Sequence, residues 1–147
     1  MNMEKTKPTT EILRELFDSQ ELAVLATHED EAPYLSLMAF SAASDLKSLI
    51  FATERETRKY TNLVKNKSTS ALIDNRTSKK MDADDCVAVT AIGESQELPK
   101  EKQMDAFIKQ HPYLDEFVKS PSCALVEMKV RCYFVVNGLH DVREMRP

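Results

Sequence analysis

Apolar and polar positions along this chain follow two periods, and the changes between them mark its elements. Ile12, Leu13, Leu16 and Phe17 recur at helical spacing behind Thr9 and Thr10, either of which can cap the start, and predict a short helix over 9–18. The period then falls to two. Residues 22–27 are apolar on both faces, as in a strand covered on both sides. The polar run 28–33 is turn material, and 34–42 returns as a second strand of the same hairpin. After a turn at Ser44-Asp45, a third strand covers 47–53. A short helix over 57–65 presents Tyr60, Leu63 and Val64 on one face, and a fourth strand covers 69–75. Beyond an exposed loop at 77–84, a long fifth strand over 85–98 bends near Gly93. Pro99 suits a first helical turn, Met104, Phe107, Ile108 and His111 share a helix face, and Pro112 interrupts before one or two more turns at 113–119.

The final strand has the clearest pattern. Ala124, Val126, Met128, Val130, Cys132, Phe134 and Val136 alternate with polar positions such as Glu127, Lys129 and Arg131, which predicts one core face and one outer face. Six short, mostly hairpin-linked strands at this spacing predict a mainly β domain: a closed six-stranded antiparallel barrel with short peripheral helices. At 147 residues the whole chain is expected to be one domain, with residues 1–8 frayed.

Composition narrows the function. Charged residues make up 30% and apolar ones 42%, as in a globular domain. No apolar run approaches the roughly 20 residues of a membrane-spanning helix, and the first ten residues hold no export signal, so no membrane association and a cytoplasmic setting are expected. Only Gly93 and Gly138 occur, which removes every glycine-rich phosphate loop. Cys86, Cys123 and Cys132 are odd in number and show no CxxC spacing, and the three histidines show no metal-ligand spacing, so neither a disulfide framework nor a metal site is expected. A net charge of −4 argues against a nucleic-acid partner. The charge is unevenly spread, however. Eight basic residues between Arg55 and Lys80 face only Glu56 and Asp74, leaving that stretch at +6 and the remainder at −10. A local excess of this kind suits a small anion better than a long polyanion.

The sharpest conflict with local rules is Thr57-Arg58-Lys59. Thr57 is a plausible helix cap, which puts two cations at the first helical positions, where the helix dipole is already positive. A bound phosphate resolves the conflict, because backbone N–H groups, a hydroxyl, a guanidinium and an ammonium then converge on it. Asp74-Asn75-Arg76 ends the next strand in three polar side chains and offers a second cation for the same anion; turn chemistry alone explains it equally well.

The run LAVLAT…APYLSLMAF…LIFAT…TRKYTNLVKN…ALIDNR, together with VAVTAIGE at 87–94, resembles the pyridoxamine 5′-phosphate oxidase-like FMN-binding split barrels. The resemblance implies a six-stranded Greek-key split barrel, a homodimer, and FMN in a groove between subunits, ahead of FAD, a deazaflavin or heme. It implies that Thr57, Arg58 and Lys59 grip the FMN phosphate, that Thr53 ends the strand beside the flavin, that Ser36 and Met38 lie along the isoalloxazine, and that Asn75 and Arg76 touch ring or phosphate. Authentic pyridoxamine phosphate oxidases carry a tryptophan and an Arg-x-His near the C-terminus. This chain has no tryptophan, and Gly138 stands in the place of that arginine ahead of His140, so their substrate does not follow from the likeness. The resemblance also admits heme, with His28 or His140 as the iron ligand, although a lone histidine is more often a surface or packing residue. Three functions stay open: a flavin-dependent oxidoreductase with no identifiable general acid or base, a non-catalytic flavin carrier or sensor, and a cofactor-free interaction module.

Overall fold

The computed structural model describes residues 7–147; the fraying expected of residues 1–8 falls mostly on 1–6, outside the described residues. Helix α1 (Thr9–Ser19) starts one residue earlier than a threonine cap would place it: Pro8 holds the cap position, and its carbonyl accepts the Glu11 and Ile12 amides at 3.1 and 3.2 Å. Ile12, Leu13, Leu16 and Phe17 are its buried face, and the Phe17 ring meets Phe40 edge-on at 5.8 Å.

Strands β1 (Leu22–Glu29) and β2 (Ala32–Ala42) form the expected hairpin, with Asp30 at φ 55° in its turn. A short polar side chain tolerates that left-handed conformation. Strand β3 (Ser48–Glu54), helix α2 (Arg58–Lys65), β4 (Ser68–Asp74) and β5 (Val87–Leu98) follow, then α3 (Met104–Gln110), α4 (Asp115–Lys119), β6 (Cys123–Asn137) and β7 (Asp141–Met145). All pairings are antiparallel. The order β3-β2-β1-β4-β5-β6, with β6 returning to β3, closes a six-stranded barrel. Strand β7 is a seventh strand that the sequence pattern does not announce. It lies outside the ring, paired with β6 alone across a turn in which Gly138 has φ 70°.

The alternation of β6 does not run through its whole length. Val130 pairs with Gly93 and Cys132 with Ile92, so Arg131 has no opposite number on β5. This bulge turns the second half of the strand over. Up to Val130 the even positions face the barrel interior; beyond it Tyr133 and Val135 are buried, and Phe134 and Val136 are each 38% exposed. Gly93 sits where the bend requires it, since a Cβ there would lie 2.0 Å from the Lys129 carbonyl oxygen.

The apolar interior is divided in two. Ala23, Leu25, Met38, Phe40, Leu49, Phe51, Ile73, Val89, Met128 and Tyr133 fill the barrel and meet α1. On the outer face Ile50, Ala52, Cys123 and Leu125 are covered by Phe107 of α3 and Val118 of α4. His111 anchors this excursion: it is buried, with Nε2 2.7 Å from the Phe40 carbonyl and Nδ1 3.3 Å from the Tyr113 hydroxyl. Among the described residues, no helix is long and apolar enough to cross a membrane.

Candidate functional site

The site grows from the join between β3 and α2. Thr57 has extended backbone (φ −129°, ψ 157°) and caps the helix: its Oγ1 accepts from the Tyr60 amide at 3.4 Å and donates to the Glu54 carbonyl at 2.7 Å. The Thr53 hydroxyl lies 3.4 Å from that of Thr57. The first bond inside the helix runs from the Thr61 amide to the Thr57 carbonyl, so the amides of Arg58 and Lys59 precede the helical ladder. The first turn holds no acidic residue. Cationic side chains and forward-pointing amides are therefore gathered at the positive end of α2, as the residue order implies.

Arg55 does not join them. Its Nε donates to Glu97 at 2.8 Å and its Nη1 to the Pro121 carbonyl at 2.6 Å. Tyr60 donates its hydroxyl to the same Glu97 oxygen at 2.9 Å. The Arg55 hydrogen bond, more than the Tyr60 one, holds the Glu97 carboxyl below its ordinary range, and the bond to Glu97 raises Tyr60. One basic residue of the positive stretch is thus spent on fixing the turn.

Two hollows meet at Thr57. The first is an apolar groove of about 350 Å³ on the outer face of the barrel, with Leu37, Ala52, Thr53, Lys59, Tyr113 and Phe117 among its walls. The second, the chamber, is an open hollow of about 490 Å³ with a lining of mixed polarity, bounded by the tip of the β1–β2 hairpin and by the side of α2 that carries Thr61 and Lys65. Lys59 borders the groove and Arg58 the chamber. Arg58 is 64% exposed but not unpaired: its Nε is 3.5 Å from Glu29, and its guanidinium lies 5.9 Å from the centre of the Tyr34 ring.

The structure thus brings together Thr53, Thr57, Arg58 and Lys59. Met38 borders the groove, but its side chain is a core group at 4% exposure. Ser36 has the same parity on β2, is half-buried, and borders neither hollow. The β2 residues that turn outward are Leu35 and Leu37, at 65% and 68% exposure. Ser36 and Met38 thus stand on the face of β2 opposite Leu35 and Leu37. Asn75 and Arg76 are not brought to Thr57 within the chain. Glu29, at the end of β1, meets α2, whereas the antiparallel pairing of Ala26 with Ser70 and Val24 with Leu72 carries the end of β4 the other way. There Asn75 bonds the Asp85 carbonyl and the Val87 amide at 2.8 and 2.9 Å, and Arg76 pairs with Asp74 at 3.0 Å. The turn-chemistry reading accounts for both side chains. His28 borders the chamber, and His140 is exposed in the β6–β7 turn.

Leu37, Tyr113 and Phe117 are wall residues that sequence reasoning did not select. For Leu37 a signal existed: β2 carries Leu35 and Leu37 on one face and Met38 and Phe40 on the other, as in a strand covered on both faces. Tyr113 and Phe117 gave none, because only the fold brings the segment after Pro112 against β2 and β3.

A closed six-stranded antiparallel barrel with a helix start in the wall of an outer groove defines the split-barrel class. The chain belongs to the pyridoxamine 5′-phosphate oxidase family, whose model matches residues 9–134. No curated protein matches it in sequence. Solved structures share the fold at low identity. The heme binding protein from Mycobacterium smegmatis aligns with a TM-score of 0.82 at 15% identity, over 96% of this chain and 59% of that one. The chain thus spans less than two thirds of that relative. General Stress Protein 26 from Bacillus anthracis gives 0.72 at 17%, over 93% and 97%. An FAD-binding protein from Mesorhizobium loti gives 0.69 at 13%, over 88% and 94%.

Proposed function

We propose that this chain binds a flavin nucleotide through its phosphate and works as a flavin-dependent oxidoreductase, FMN being the smallest ligand with both parts the site addresses. The observation that carries the reading is the placement of Thr57 and Lys59 in the wall of an apolar groove. A dianionic head at the start of α2 satisfies the leading amides and the ammonium, while a flat aromatic body lies against Leu37, Ala52 and Phe117. The family and its FAD-binding structural relative support a flavin. The flavin would supply the hydride or electron transfer. The chain's own side chains bind, orient and shield it from water; Glu54, Lys59 and Tyr113 are the ionisable groups along the groove.

The groove is open, and Leu22, Leu35, Leu37 and Tyr113 around it are exposed. We propose that a second copy covers this face, making a homodimer. The test is titration of the colourless protein with FMN and riboflavin, followed by visible absorbance and flavin fluorescence, and then anaerobic reduction by NADH and NADPH. FMN binding tighter than riboflavin, with reduction, is expected. Equal affinities would remove the phosphate from the reading. Binding without turnover by any reductant would leave a carrier.

A further inference from the structure

We propose that His111 is a positioning residue for the groove: while neutral it tethers the Tyr113 hydroxyl and so holds that ring in the groove wall, and on taking up a proton it lets the ring go. The proposal goes beyond the flavin reading, because it concerns the wall and not the occupant; riboflavin enters only as a probe.

His111 follows α3 and is 2% exposed. On one side of it lies a hollow of about 210 Å³, lined also by Phe17, Asp18, Glu21, Phe40 and Gln110. On the other side Tyr113 lines the groove. The partners of the imidazole assign its two nitrogens. Nε2 lies 2.7 Å from the Phe40 carbonyl, which can only accept, so Nε2 carries the hydrogen. In the neutral ring Nδ1 is then bare, and the Tyr113 hydroxyl 3.3 Å away must be the donor to it. Burial, with the Glu21 carboxylate nearby, raises the Tyr113 phenol, so it keeps the proton it donates. The imidazole is fixed: the Phe107 ring is 4.8 Å from it, and its backbone amide bonds the Phe107 and Ile108 carbonyls. Tyr113 is not fixed in the same way. It is 61% exposed, and among the described residues its hydroxyl bonds His111 alone. A proton on Nδ1 replaces the acceptor with a donor, so the tyrosine hydrogen loses its partner and the hydroxyl must turn away. Asp18 and Glu21 are exposed at the rim of the hollow, which gives a proton from water a way in. These carboxylates are the charged groups that face His111 across it; its neighbours Phe107 and Gln110 on α3 and Phe40 on β2 are uncharged.

The experiment is NMR of the ligand-free chain labelled in its histidine and tyrosine rings, with the Tyr113 signal assigned by its loss in Tyr113→Phe. As pH is lowered, the Tyr113 signal should shift along one curve with that of His111. It should stop responding in His111→Gln, whose amide still donates to the Phe40 carbonyl but does not titrate. Riboflavin is the binding probe because it has no phosphate to titrate. Its affinity should fall about fivefold as pH passes down through the His111 midpoint. Tyr113→Phe should bind it about fivefold more weakly near neutrality and show no such fall, and adding His111→Gln to that variant should change nothing further. A Tyr113 signal blind to His111, a His111 that stays neutral until circular dichroism shows unfolding, or a Tyr113→Phe variant as pH-sensitive as the native chain overturns the proposal. None of these outcomes touches the flavin reading. A chain that shows the shared curve but binds neither riboflavin nor FMN supports the tether and refutes that reading.

Discussion

Arg55 and Glu97 meet at 2.8 Å and fasten the turn before α2 to strand β5, with the Tyr60 hydroxyl on the same carboxylate oxygen. The group is partly exposed, so replacing Glu97 with alanine should lower stability by no more than about 1 kcal/mol. The start of α2 loses its brace, so FMN affinity should fall several-fold while riboflavin affinity stays level. The Glu97 carboxyl is held below its ordinary range, so its contribution is present above that range and is lost as pH falls through it. Equal losses for both ligands would show that Glu97 serves the groove rather than the helix start.

Arg58→Ala combined with Lys59→Ala removes both cations from the helix start. Hydrogen bonds to charged groups are worth about 1.5–3 kcal/mol when shielded and less when exposed, so FMN affinity should drop about 10- to 100-fold. Riboflavin binding and the circular dichroism spectrum should not change. An unaltered FMN affinity would place the phosphate elsewhere.

Leu37 stands outward from β2 beside the groove. Leu37→Glu puts a charge into the face assigned to the second copy, where an unpaired buried carboxylate is strongly unfavourable. Sedimentation at micromolar concentration should show the native chain as a dimer and this variant as a monomer. A native monomer would refute the assembly.

Tyr133 is fully buried and donates its hydroxyl to the Leu46 carbonyl at 2.6 Å. Tyr133→Phe leaves that carbonyl unpaired and should destabilise the fold by about 1–3 kcal/mol in urea titrations. Burial raises the phenol above its ordinary value of 10.0. The unfolded chain therefore releases this proton first, so the stability is intact below pH 10.0 and declines as pH rises beyond it. The phenylalanine variant should show a shallower alkaline decline. Parallel declines would assign the effect to other groups.

Gly93→Ala forces a Cβ to within 2.0 Å of the Lys129 carbonyl oxygen. The strand must shift at the bulge, and a loss of about 2 kcal/mol or more is expected in the same titration. A loss under about 0.5 kcal/mol would mean that the two strands separate there at little cost.

Much of the barrel was legible because strands of period two leave a strong trace: β1 to β5 lie within a few residues of their expected bounds. The closure of β6 on β3 and the outer layer of α3 and α4 follow from pairings remote in sequence, which no local pattern encodes. Strand β7 was missed because Asp141–Met145 has no apolar run and borrows its order from β6. The gathering of Thr57, Arg58 and Lys59 at the start of α2 could be read because it violates a rule about charge at helix ends. Which face of β2 turns outward could not be read, because apolar residues such as Leu37 and Met38 stand on both. That Asn75 and Arg76 lie away from Thr57 within the chain could not be read, because the direction of β4 relative to α2 is a property of the closed ring.

The unmatched Arg131 gives the longest strand two independent environments. Its first half answers to the barrel and to the α3–α4 layer, and its second to α1, through Tyr133 and Phe17, and to β7. Were Arg131 instead drawn into the ladder opposite Ile92, the alternation would run on unbroken, expel Tyr133 and Val135 into water and drive Phe134 and Val136 inward. For this stretch the one residue left out of the pairing decides which side chains are buried, and removing Arg131 itself would straighten the strand without turning Tyr133 or Val135 over.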